Sequence, residues 1–145
     1  MLIVGGVEDK KYFDSLEKLK KVHFLGALDG LQKHTLFTIS SLFVLPSKTE
    51  NFGMVIAEAM SYKIPVITTQ GTPWKEIQDN GAGWWIELSQ ENLDIALEEA
   101  LKCESSDLKA KGNIGFDIIK NYTWEIQALK MKKCYEEILS KRGIK

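Results

Sequence analysis

Short apolar runs of strand length alternate with helix-length amphipathic stretches along this chain, and few folds accept that alternation. Leu2-Ile3-Val4 ends at Gly5-Gly6, and Tyr12, Leu16 and Leu19 then recur at helical spacing among charges. Val22-His23-Phe24-Leu25 ends at Gly26, Leu31 to Ser40 reads as a second helix, and Leu42-Phe43-Val44-Leu45 stops at Pro46. Ile64 to Thr68 is a strand rich in β-branched residues, Pro73 is expected to open a short helix at its first position, and Gly83 to Ile86 is another strand. Beyond that the pattern is helical: about Gln90 to Cys103, about Asp107 to Asn121, and about Thr123 to Ser140. Strands that are apolar throughout, rather than at every second residue, are covered on both faces. The expectation is an α/β fold, a mostly parallel sheet with helices on both faces. Ligands of such sheets lie beyond the carboxyl ends of the strands. Those positions are Gly5-Gly6, Gly26-Ala27, Ser47 to Gly53, and Thr69 to Thr72.

The chain has 145 residues, 44% hydrophobic and 27% charged, which suits one globular domain with a sizeable core. A net charge of −1 and the lack of a basic block offer no electrostatic footprint for nucleic acid. The lysines at 10, 11, 18, 20 and 21 read as the solvated face of one helix. No apolar run approaches the ~20 residues that span a bilayer, and no signal peptide opens the chain, so a cytoplasmic location is expected. Cys103 and Cys134 have neither metal nor redox spacing and read as reduced thiols. His23 and His34 lack metal-ligand spacing and an evident triad partner, and are read as structural.

The segment from Leu42 to Glu58 carries the chemistry. After the strand stops at Pro46, a polar loop delivers Glu50, then Asn51-Phe52-Gly53, and then Met54-Val55-Ile56-Ala57-Glu58-Ala59-Met60. That last run reads as a helix apolar on every side and therefore buried, with Glu58 the exception. An uncompensated carboxylate inside such a helix costs at least several kcal/mol, so Glu58 is expected either to be satisfied by partners or to reach a cleft. The cleft is favoured. Glu58 sits about one turn inside the helix, and Cα–Cβ bonds tilt toward the N-terminus, where backbone N–H groups attract anions. Glu50 has a plainer reading too: an acidic residue placed by the helix dipole, or half of a capping box with Ser47.

The strand, the Pro46-Ser47 pair, and two glutamates separated by seven residues within Glu50-Asn51-Phe52-Gly53-Met54-Val55-Ile56-Ala57-Glu58-Ala59-Met60 resemble the donor-site motif of the large retaining GT-B glycosyltransferase family often called family 4. The similarity continues through Ile64-Pro65-Val66-Ile67-Thr68, Gly71-Thr72-Pro73-Trp74-Lys75-Glu76-Ile77, and Asn80-Gly81-Ala82-Gly83-Trp84-Trp85-Ile86. The resemblance implies a Rossmann-like C-terminal, donor-binding domain covering residues 1–145. The full enzyme would pass a hexose from a nucleoside diphosphate sugar to an acceptor hydroxyl with retention. It implies no cofactor and no required metal. Glu50 would lie beside the donor sugar as the catalytic carboxylate, and Glu58 would hold the ribose diol. Asn51, Phe52, Gly53, Met54 and Val55 would border the diphosphate, chiefly through backbone N–H groups, with Phe52 mainly packing. Leu28 and Lys33 match the family's base and phosphate contact region, although Lys33 reads equally as a surface lysine. Gly71 and Thr72 stand where relatives have a Gly-rich turn near the donor. Trp74 replaces the acidic residue common there, which leaves the role of Glu76 open.

Members of that family carry an N-terminal domain before this point, together with the first strand and helix of the C-terminal domain, which hold an Arg and a Lys for the diphosphate. These 145 residues are accordingly expected to bind a donor weakly and to turn over little or nothing. A glycan or lipid-linked acceptor would be held by the other domain, and the full enzyme would be cytoplasmic or peripheral at the inner membrane face. The absent strand would lie between those at Leu2 and Leu42, leaving strand edges to be paired otherwise. The last helix, 123–140, presents Trp124, Ala128, Met131, Tyr135 and Ile138 as a stripe that in such enzymes crosses back toward the N-terminal domain. Exposed edges and stripes predict self-association. Two other readings stay open: a sugar-nucleotide epimerase-like domain, although those lack this pair of glutamates, and a non-catalytic nucleotide- or partner-binding module.

Overall fold

Val66, Ile67, Thr68 and Thr69 form a strand buried along its whole length, because it has a strand on each side and helices on both faces. It is the fourth of the five strands among the described residues: β1 (Leu2–Ile3), β2 (His23–Phe24), β3 (Phe43–Leu45), β4 (Val66–Thr69) and β5 (Gly83–Ile86). The helices are α1 (Gly30–Ile39), α2 (Met54–Ser61), α3 (Glu76–Asp79), α4 (Gln90–Lys102), α5 (Ser105–Ile119) and α6 (Trp124–Lys141), with a 3-10 turn at Lys120–Tyr122. This computed structural model describes Leu2, Ile3, Lys10, Lys11, Asp14 and residues 21–142. Lys10, Lys11 and Asp14 are helical and exposed. Tyr12, Leu16 and Leu19, and the Gly5-Gly6 turn, lie outside the described residues.

The chain forms two compact units, Met1–Ile39 and Ser40–Lys145. In the first, β1 pairs with β2 in parallel, Leu2 opposite His23 and Ile3 opposite Phe24. Gly26, at φ 69°, turns the chain out of β2. Asp29 O accepts from Lys33 N (3.3 Å) as α1 begins, and Phe37 is buried on that helix.

In the second unit β3, β4 and β5 form a parallel sheet in that order, with Val44 and Trp84 flanking Ile67 and Leu45 and Trp85 flanking Thr68. Alternation along β4 sends Ile67 to one face, where Ala96 and Ala100 of α4 pack on it with Leu42, Val44, Trp84, Ile86, Leu93 and Leu97 around them. The other face meets α2 and α5. Ser89 caps α4, its side chain accepting from Asn92 N at 3.1 Å. β3 and β5 are the sheet's edges among the described residues, and both are only half-buried. The described strands fall into two sheets, β1-β2 and β3-β4-β5.

α5 approaches α2 through glycine. A Cβ on Gly112 would overlap the carbonyl oxygen of Lys63, and one on Gly115 would lie 3.3 Å from Met60 Cγ. Lys63 itself occupies the left-handed region at φ 59° just past α2, where Lys63 N donates to Met60 O (2.9 Å) and Ile64 N to Ala59 O (3.1 Å). The two bonds satisfy carbonyls that the helix end would otherwise leave open.

Two expectations need correction. Pro73 does not start a helix: it sits at a bend, and α3 begins three residues later at Glu76. The first helical bonds come from Ile77 N to Trp74 O (3.0 Å) and Gln78 N to Lys75 O (3.0 Å), because the chain must first carry the Trp74 side chain inward. Nor is α2 buried on every side. Ile56, Ala57, Ala59 and Met60 are buried, but Met54 and Ser61 are exposed and Glu58 is half-buried. Spacings of four and three put these last three on one open stripe.

Candidate functional site

The carboxyl ends of β3 and β4 continue into two loops that clamp one another. Thr68 Oγ1 donates to Leu45 O at 3.0 Å, Thr69 Oγ1 donates to Ser47 O, and Glu50 N donates to Gly71 O at 2.9 Å. Gly71 has no room for a side chain, since a Cβ there would overlap Lys48 O. Thr72 closes its own turn, N and Oγ1 both donating to Thr69 O (3.0 and 2.9 Å), while its carbonyl accepts from Trp85 Nε1 at 3.1 Å. β-branched residues that serve the strand thus also serve as ties between loops. The part of the chain that delivers Glu50 is braced by β4 rather than free to wander.

Glu50 is half-buried, and the Ser47 hydroxyl lies 3.0 Å from Thr49 O and 3.3 Å from Glu50 Oε1, so its one proton goes mainly to the backbone carbonyl. This is not a capping box. Ser47 N donates to Leu45 O (3.0 Å) instead of meeting the carboxylate, and no helix starts there.

Asn51 is exposed and Phe52 half-buried, and Gly53 stands at the N-cap of α2 with φ 73° and ψ 60°. That left-handed geometry suits glycine, and a Cβ would also sit 3.0 Å from Ile56 Cδ1. No side chain caps α2. Gly53 O accepts from Ile56 N (2.9 Å) and Ala57 N (3.3 Å). The N–H groups of Gly53, Met54 and Val55 have no acceptor among the described residues. Three N–H groups without acceptors and the positive end of the helix dipole attract an anion, although Gly53 itself is buried. Glu58 lies one turn further along the open stripe, with its Oε2 shielded from solvent. A carboxylate there can accept two hydrogen bonds from a diol.

Beneath this loop lies a cluster of three aromatic rings. Trp74 is 1% exposed and its Nε1 donates to Phe52 O. Its ring centroid is 4.9 Å from that of Phe52 and 5.2 Å from that of Tyr122, and the latter two are 5.7 Å apart. Tyr122 Oη donates to Glu76 Oε1 at 3.2 Å. Burial, and then the nearby Glu76 charge, hold the Tyr122 hydroxyl above its usual pKa. Glu76 is exposed and thereby engaged in a structural bond. Sequence reasoning left Trp74 and Tyr122 without a role; an indole just after a proline, in a loop leaving a central strand, was the signal for the first.

Leu28 and Lys33 belong to the first unit. Leu28 is half-buried in the loop after β2, and Lys33 is half-buried on α1 with its ammonium 6.0 Å from the Phe37 ring centroid. Trp84 and Trp85 take opposite faces of β5, as alternation requires: Trp84 packs toward α4 and donates to Glu99 Oε2 at 2.9 Å. Cys103 and Cys134 are free thiols. Among the described residues no helix is long and apolar enough to cross a membrane, and no three His, Cys, Asp or Glu side chains gather as a metal cluster.

This chain is similar to the α-1,3/1,6-mannosyltransferase ALG2 of Yarrowia lipolytica, with 27% identity over 83% of this chain and 26% of that protein. Its fold is that of GT-B glycosyltransferases. It superposes on the sucrose-phosphate synthase of Thermosynechococcus elongatus with a TM-score of 0.77 at 22% identity, covering 96% of this chain and 38% of that one. It superposes on WaaG, a glycosyltransferase involved in lipopolysaccharide biosynthesis, with a TM-score of 0.70 at 27% identity, covering 91% and 36%. The chain thus spans between a quarter and two fifths of the length of these proteins. The family model for glycosyl transferases group 1 matches residues 1–114, and the chain belongs to that family.

Proposed function

We propose that this chain is the C-terminal, donor-binding domain of a retaining family 4 type GT-B glycosyltransferase, which moves a hexose from a nucleoside diphosphate sugar to an acceptor hydroxyl. The carrying observation is α2. Its N-terminus offers three N–H groups without acceptors, and the single carboxylate of the helix, Glu58, stands on its open stripe one turn away. A nucleoside diphosphate has the matching pair of features, an anionic diphosphate and a ribose diol. In this reading Gly53, Met54 and Val55 N–H groups take the diphosphate and stabilise it as it departs, which is electrostatic catalysis at the leaving group. Glu58 takes the ribose, and Glu50 stands beside the sugar. Asn51, Gly71 and Thr72 border the same loops. The reaction needs no metal in this scheme, because the departing charge is met by N–H groups and basic residues.

The acceptor, a glycan or a lipid-linked saccharide, is held by a domain outside these residues, so the 145 residues alone turn over little or nothing. The full enzyme works in the cytoplasm or at the inner membrane face. α6 is where that other domain packs, and without it α6 favours self-association; no residue of α6 is buried.

Calorimetric titration with uridine, guanosine and adenosine diphosphates tests the reading. One of the three is expected to bind, and Glu58→Gln to weaken it by about 1–3 kcal/mol, the scale of a charge-assisted hydrogen bond. Unchanged affinity in that variant removes Glu58 from the site.

A further inference from the structure

The peptide that opens α2 has two rotational choices, and one buried side chain selects between them. No peptide bond among the described residues is cis, so the carbonyl of Phe52 and the N–H of Gly53 point in opposite directions across one planar unit. Trp74 is in the interior and its Nε1–H donates to Phe52 O. With the carbonyl drawn toward the indole, the Gly53 N–H is turned away from it, at the same helix end as those of Met54 and Val55. Turning the peptide over would set two donors, the indole N–H and the Gly53 N–H, against each other and leave both unsatisfied in a buried place. Phenylalanine or leucine at 74 would fill the volume but supply no donor to hold the carbonyl. The indole is itself held: Phe52 and Tyr122 pack on it at 4.9 and 5.2 Å, and Gly53 leaves a gap so narrow that a Cβ there would lie 3.4 Å from Nε1.

We propose that Trp74 is a positioning residue for the donor diphosphate: through the Phe52 carbonyl it fixes the 52–53 peptide so that the Gly53 N–H faces the phosphates. This rests on the donor-site reading above, and adds a member that touches neither sugar nor phosphate. It predicts an effect confined to one part of the ligand. Ribose recognition at Glu58 does not pass through the 52–53 peptide, whereas diphosphate recognition does.

The test uses the 145-residue chain, the nucleoside diphosphate among the three that binds, and the corresponding nucleoside. Trp74→Phe is expected to lose on the order of tenfold in affinity for the diphosphate and nothing for the nucleoside. Trp84→Phe, which loses an indole hydrogen bond to Glu99 on the other face of the sheet, is expected to change neither. Equal losses for nucleoside and diphosphate, or no loss at all, overturn the proposal. Amide exchange in the free protein supplies a second readout that needs no ligand: the Trp74 indole proton is expected to exchange slowly, held by the Phe52 carbonyl. A fast indole proton overturns the positioning role. Should none of the three diphosphates bind the unaltered chain, the donor-site reading falls, and the exchange pattern still decides whether the indole orients the peptide.

Discussion

α2 and α6 are both helices with several large apolar residues, yet they end in opposite circumstances. Of the eight residues of α2, Ile56, Ala57, Ala59 and Met60 are buried, pressed between the sheet and α5. α6 runs for 18 residues without one buried, and Trp124 is 86% exposed with Leu129, Met131, Tyr135 and Ile138 also in solvent. Apolar content therefore does not decide burial; a partner surface does. α2 follows directly from β3 and lies on the sheet. α6 follows the 3-10 turn at Lys120–Tyr122 and, among the described residues, touches chiefly that turn. The difference also separates roles. A helix held between the sheet and α5 keeps its N-terminal donors and Glu58 in place. A helix that meets chiefly one short turn keeps its apolar stripe exposed.

Stability measurements give the largest contrast. Ile56→Ala, at a site with no exposure, is expected to cost about 2–5 kcal/mol, while Leu129→Ala on α6 should stay within about 0.5 kcal/mol. Urea unfolding of both variants checks this, and similar losses would end the distinction between the helices. Next in size is association. Sedimentation over a range of concentrations is expected to show reversible self-association of the chain, reduced by Tyr135→Lys together with Ile138→Lys. A strictly monomeric protein at high concentration would mean that α6 folds back onto its own unit in solution.

The smallest effect joins the two regions through Tyr122, whose ring packs on Trp74 beneath the α2 loop and precedes α6 by one residue. Its folded pKa is raised above 10.0, so the protonated hydroxyl is the favoured form in the native state. The associated stability is complete below pH 10, the unfolded value, and is lost as pH rises through the folded value. Since the group is largely solvent-screened, the change is expected to be small. Tyr122→Phe should abolish this alkaline slope, and an unchanged slope would mean that another group produces it.

The strand and helix order was legible from apolar runs and helical spacing, because those periodicities are local. Gly83–Ile86 and the three late helices lie within two residues of where the pattern puts them. The Glu50-to-Glu58 segment stands out in the sequence as a candidate because carboxylates at a strand-to-helix junction are conspicuous in an otherwise apolar context. Pro73 misled, since its preference for the first helical turn was overridden by the need to send Trp74 inward two residues before α3. The uniform apolarity of α2 misled as well: Met54 reads as core by composition but stands at an open helix end and is exposed.

Local chemistry in the chain dictates which segments are strands and helices, that the strands run parallel, and where glycine must stand. Packing across long sequence separations decides the rest. The Trp74 indole meets a carbonyl 22 residues earlier, and Tyr122 meets a carboxylate 46 residues earlier. Thr69 ties β4 to a loop that begins before α2. Such pairings leave no periodic trace, because each is a single donor finding a single acceptor once the sheet has brought the loops together, and it is they that orient the N–H groups and carboxylates of the site.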